Sequence, residues 1–108
     1  MTAKYQLVIQ FDDESGEALD RVISLEDELI ELLDGVAEVD GHDVGSGTAN
    51  IFIETDKPKK VWEMIEPLIE KAADEQELQP IAAAYREADE DGYTVIWPTD
   101  YDGEFEVT

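Results

Sequence analysis

From Tyr5 to Phe11 the chain alternates, with Tyr5, Leu7, Ile9 and Phe11 on one side and Gln6, Val8 and Gln10 on the other. A period of two predicts a half-buried strand. Asp12, Asp13, Glu14, Ser15 and Gly16 break it, and the period lengthens to about 3.6 through Ala18, Leu19, Val22, Ile23, Leu25, Leu29, Ile30, Leu32 and Leu33. That pattern predicts a helix stopped by Gly35. Ser24 followed by Asp27 resembles a capping box, so this helix is expected either as one piece or as a short turn and a main helix from about Leu25.

A second, weaker strand is predicted from Val36 to Asp43, ending in the cluster Gly41, Gly45 and Gly47, and a third from Ala49 to Thr55, with Ile51 and Ile53 sharing a face. The two form a hairpin. Asp56 is placed to cap a second helix, Pro58 sits in its first turn, and Val61, Trp62, Ile65, Leu68, Ile69, Ala72 and Ala73 make its apolar stripe. Pro67 interrupts that helix from the polar side, so a kink is expected with the inward stripe preserved. A last hairpin runs from Ile81 to Arg86 and from Tyr93 to Trp97 around Asp89, Glu90, Asp91 and Gly92, and Phe105 and Val107 are candidates for an edge piece. Two helices on one face of a four- or five-stranded antiparallel sheet, in this order, make an α+β, ferredoxin-like split βαβ sandwich.

Composition makes residues 1–108 one acidic domain. The apolar fraction of 43% is enough for a core, so the charge, 29 acids against 7 bases for a formal −22, belongs on a folded surface. Nucleic acids and anionic membranes, both bound through Lys and Arg, are unsuited partners. Cysteine is absent, which removes disulfides, thiolate metal sites and a cysteine nucleophile. MTAKYQLVIQ lacks the basic start and long apolar run of a signal peptide, and no stretch approaches the roughly 18 apolar residues of a membrane span. A cytoplasmic location is the expectation.

Candidate chemistry is sparse. Asp40, His42 and Asp43 bring the sole histidine between carboxylates in a glycine-rich turn, and two carboxylates with an imidazole are a conceivable metal set. Their spacing matches no metal signature, and hairpin glycines with turn-forming aspartates account for it. Asp40 and Asp43 would also repel a phosphate. Glu87, Asp89, Asp91 and Gly92 match the first half of a calcium loop, but Pro98 stands at the twelfth position where a glutamate is required. Serine occurs only at Ser15, Ser24 and Ser46, with no nucleophile elbow. The expectation is a protein that is not an enzyme and uses no cofactor and no metal.

The strings YQLVIQF, LEDELIELL, VDGHDVGSGTANIFIETDKP, AYRE and VIWP, densest from Val39 to Pro58, resemble a group of short uncharacterised bacterial proteins, some carrying a transporter label. The resemblance implies one compact domain and brings no activity with it. A transporter ATPase is excluded, because no GxxxxGK[ST] string occurs.

Asp20, Asp27, Glu31 and Asp34 recur at spacings that share one outward helix face, where like charges destabilise by tenths of a kcal/mol per pair. Either the face is simply solvated or it is matched to a basic partner steered by the long-range field. Lys57, Lys59 and Lys60 hold three of the seven basic residues at a helix start, where the macrodipole disfavours cations. Lys59 and Lys60 either balance nearby acids or mark an interface. Phe52 and Val8 make the open sheet face partly apolar, a surface for a homodimer; Tyr85, Tyr93 and Trp97 are candidates to extend it, although a tryptophan such as Trp97 more often belongs to the core. The leading expectation is a non-enzymatic acidic protein that engages a basic protein, in the manner of an immunity protein neutralising a cationic toxin. Nucleic-acid mimicry is a variant of it. The rival is a halophile-adapted domain with a small-ligand or metal site at the Gly41–Asn50 turn.

Overall fold

In the computed structural model, which describes residues 4–13, 19–45, 47–75, 78–90 and 92–98, the elements follow as β1 (Tyr5–Asp12), α1 (Leu19–Leu32), β2 (Glu38–Gly45), β3 (Thr48–Thr55), α2 (Pro58–Glu75), β4 (Pro80–Glu87) and β5 (Thr94–Trp97). They build one sheet in the order β2-β3-β1-β4-β5, antiparallel throughout. Each helix bridges two strands that flank a third, which is the ferredoxin-like topology, and β5 extends the sheet beyond β4. Phe105 and Val107 lie outside the described residues, as do Ser15, Ser46 and Asp91.

Register explains the core. Leu7, Ile9 and Phe11 of β1 sit opposite Ile53, Ile51 and Ala49 of β3, so all six point to the same face. Val22, Leu25, Leu29 and Leu33 cover that face from the α1 side and Val61, Trp62, Ile65 and Ile69 from the α2 side. Burying each of the larger aliphatic side chains contributes about 1.5–3 kcal/mol. Trp97 on β5 closes the far flank, its ring 5.9 Å from that of Trp62. Tyr85 meets Tyr5 edge to face at 5.7 Å.

Several local expectations are corrected. The first helix is one continuous piece, so Ser24 caps nothing. Gly35, at φ 80°, turns the chain out of it, and Val36 and Ala37 both donate backbone hydrogen bonds to the Leu33 carbonyl, which delays β2 to Glu38. Asp56 does not cap α2: its carboxylate accepts from the Lys4 backbone N–H at 2.9 Å. The Lys57 carbonyl accepts the first helical bond from Val61, and the Lys57 N–H donates to the Thr55 hydroxyl. Helix α2 is continuous across Pro67, and its inward stripe is preserved as the pattern predicts.

The second sheet face is not open at its centre. Val8, Ala82 and Ala84 are fully buried there, with Phe52, Tyr93 and Val95 half-buried against them. Tyr85 and Trp97 belong instead to the helix-covered side, because Tyr85 pairs with Leu7 and a bulge between Ala83 and Ala84 sets Trp97 opposite Ala83. Gln10 donates to Asn50 at 3.1 Å across the same face, both buried, while the Asn50 Nδ2 has no acceptor among the described residues.

Candidate interaction surfaces

Helix α1 carries its acids as the spacing predicts. Asp20, Asp27, Glu31 and Asp34 are all exposed, and none has an ion-pair or hydrogen-bond partner among the described residues. At about 3.6 residues per turn the first three occupy one outward arc, and Asp34 follows in the turn after the helix. Beside that arc, toward the β2 edge, lies a strip the periodicity assigned to the core: Leu19, Ile23 and Ile30 are 44%, 39% and 49% exposed. The buried arc is narrower than the apolar pattern, centred on Val22, Leu25 and Leu29. Counting turns finds these three off that arc, so the information was present in the spacing.

On the other side of the acids, α1 and α2 stand apart and leave a groove of about 580 Å³ lined by Glu28, Glu31, Leu32, Met64, Pro67, Leu68 and Lys71. Its floor is apolar and its α1 wall is acidic. Lys71, on the opposite wall, is 3.8 Å from Glu75, an exposed pair one helical turn apart.

The histidine lies in a strand, not in a flexible turn. Asp40 is the extra residue of a β-bulge in β2, since Val39 pairs with Ile53 and Gly41 with Phe52. Beyond the bulge His42 pairs with Ile51 on the helix side, and Asp43 pairs with Asn50 on the other side. Asp40, His42 and Asp43 therefore do not converge, and the described residues hold no group of three His, Asp or Glu side chains arranged for a metal. His42 Nδ1 lies 3.0 Å from Glu26 Oε2, a link between the edge strand and α1 that the local sequence did not reveal. Sixteen residues separate the two, so only the tertiary fold brings them together. The hairpin itself turns at Gly47, φ 83°, a conformation for which glycine is suited.

The acidic β4–β5 turn is organised by a cation from within the chain. The Arg86 guanidinium donates to the carbonyls of Glu87, Ala88 and Glu90 at 3.2, 3.1 and 2.8 Å, and to Gln6 Oε1 at 3.2 Å. At the start of α2, Lys57, Lys59 and Lys60 are exposed, and none pairs with a carboxylate among the described residues. With Tyr5, Asp56, Pro58 and Tyr85 they border a shallow depression of about 370 Å³. Asp56 on the same rim keeps a carboxylate beside the lysines without a direct ion pair. Phe52, named for the open sheet face, is half-buried on it.

No helix among the described residues is long and apolar enough to cross a membrane. Compared with known proteins, the chain matches no family model, no curated protein and no solved structure.

Proposed function

We propose that this is a non-enzymatic, cytoplasmic, acidic binding protein that engages a basic protein partner through the outward surface of α1, acting as an immunity-type inhibitor does on a cationic toxin. One observation carries the proposal: Asp20, Asp27 and Glu31 on α1, with Asp34 in the turn just past its end, have no partner among the described residues and run beside exposed Leu19, Ile23 and Ile30. Charge of one sign raises the rate of encounter with an opposite partner, and apolar anchors supply the affinity that rim charges do not. A merely solvated helix face has no use for the exposed apolar strip. The formal −22 of the chain extends the attraction beyond the helix itself. Lys59 and Lys60, outside the acidic arc, set orientation by repelling the basic surface of a misdocked partner.

The test is recovery of the partner from the native host by pull-down and mass spectrometry, followed by association kinetics across a salt series. A basic partner is expected, with an on-rate that falls as the screening length shortens from about 10 Å at 0.1 M toward 3 Å at 1 M. Reversing Asp27 and Glu31 to lysine should slow association while the protein stays folded. An acidic partner, or an on-rate indifferent to both salt and the reversals, overturns the proposal.

A further inference from the structure

The geometry points to the groove between α1 and α2 as the seat of a cationic amphipathic helix contributed by the partner, an inference that rests on the function proposed above and specifies its site. Its floor, Leu32, Met64 and Leu68, is apolar, and Leu32 is 43% exposed although it belongs to a helix with a complete buried stripe. Its walls, residues 28–32 of α1 and 64–71 of α2, run about 6 and 11 Å along their helices, room for one or two turns of a third helix laid between them. Met64 contributes an unbranched, polarizable side chain that moulds to an apolar stripe of varied shape.

Charge selects the occupant. Glu28 and Glu31 form the α1 wall, and Glu31 is also a member of the outward acid arc, so the groove opens directly onto the surface that attracts cations. An acidic or neutral segment would meet the two glutamates and the field of the whole chain without compensation. Lys71, the groove's cation, is already engaged with Glu75.

The probe is a fluorescein-labelled helical peptide of about 18 residues with a leucine stripe flanked by lysines, titrated against the full chain by fluorescence anisotropy. Saturable binding is expected, weakened about tenfold or more by Leu32→Ser and, separately, by the pair Glu28→Lys and Glu31→Lys. The charge-matched pair Asp43→Lys and Glu54→Lys, on the opposite sheet face, should change it less than about threefold. Circular dichroism and urea midpoints establish that each variant is folded, and Leu32→Ser, at an exposed position, keeps the test open if the double reversal does not fold. No binding, equal binding of a peptide with glutamate in place of lysine, or indifference to both groove variants overturns the inference. So does a concentration-dependent dimer, seen in ultracentrifugation, that Leu32→Ser dissolves, because the groove would then hold a second copy. The two proposals fail separately. A basic host partner whose on-rate depends on Asp20 and Asp27 but whose complex ignores Leu32→Ser ends the groove inference alone; a salt-indifferent or acidic partner ends the function from which it follows.

Discussion

The two helices occupy equivalent places in the fold and are built to opposite ends. Helix α2 buries Pro58, Val61, Trp62, Ile65, Ile69 and Ala72, while α1, four residues shorter, buries Val22, Leu25 and Leu29 and leaves Leu19, Ile23, Ile30 and Leu32 exposed. Both carry surplus acid, yet α2 alone begins with a cluster of lysines. A helix that only covered the sheet would have no reason to display four large aliphatic side chains around a ladder of like charges. The contrast is one of degree: α2 buries the longer stripe over the sheet, and α1 leaves the larger apolar surface uncovered.

Truncation in each helix offers the largest effect by which that division can be broken. Ile65 is fully buried over the sheet, so Ile65→Ala should cost about 2–5 kcal/mol in a urea titration through lost burial and the cavity left behind. Ile30→Ala, at a position 49% exposed, should stay within about 0.5 kcal/mol. Equal losses at the two sites would show that α1 is as structural as α2.

Pro67 gives the next effect. A proline in a helix interior withholds one hydrogen bond and is disfavoured by about 3 kcal/mol relative to alanine, and α2 carries it because six buried side chains hold the helix in place. Pro67→Ala should therefore raise stability, by about 1–3 kcal/mol, with the urea midpoint moving upward. A destabilised variant would mean that Pro67 packs in the groove in a way the helix depends on.

The link between α1 and the edge strand is weaker. Glu26 and His42 meet at 3.0 Å with side chains 16% and 29% exposed, and Glu26→Gln should lower stability by about 0.5–1 kcal/mol. Native-state hydrogen exchange should show the loss as faster opening of β2 while β1 and β4 are unchanged. Uniform acceleration across the sheet would place the contact in the global fold instead of at the edge.

Local periodicity carried the fold: the alternation in Tyr5–Phe11, the wide helical stripe around Leu25 and Leu29, and the switch back to alternation at Ile51 and Ile53 are each decided within a few residues. Properties set by neighbours distant in the chain were illegible. His42 sits against Glu26 only because a bulge at Asp40 shifts the parity of β2, and no string of residues announces a bulge. Tyr85 falls on the helix side instead of the open face, and Trp97 packs against the core, because strand parity in β4 and β5 depends on register shifts between paired strands. The acid arc of α1 was legible, because it follows from spacing on one helix. The groove was not, because it exists only between two.

The smallest effect concerns that arc, and it separates stability from function by sign. Glu31 faces Asp27 one turn before it and Glu28 three residues before it, and each like-charged neighbour on a helix surface destabilises by about 0.2–0.5 kcal/mol. Replacing Glu31 with lysine turns both repulsions into attractions and leaves the buried stripe untouched. Glu31→Lys should thus stabilise the protein by a few tenths of a kcal/mol up to about 1 kcal/mol at low ionic strength, and the gain should largely vanish near 1 M salt, where the screening length falls to about 3 Å. The same substitution should slow association with a basic partner, since it removes one negative charge from the steering surface and adds a positive one. A helix face selected only for solubility would lose nothing functional by accepting the more stable residue. Urea midpoints at two salt concentrations, set beside partner on-rates at the same two concentrations, decide the matter: stability and association moving in opposite directions mark α1 as a binding surface, and a stabilised variant that associates at the wild-type rate removes Glu31 from it.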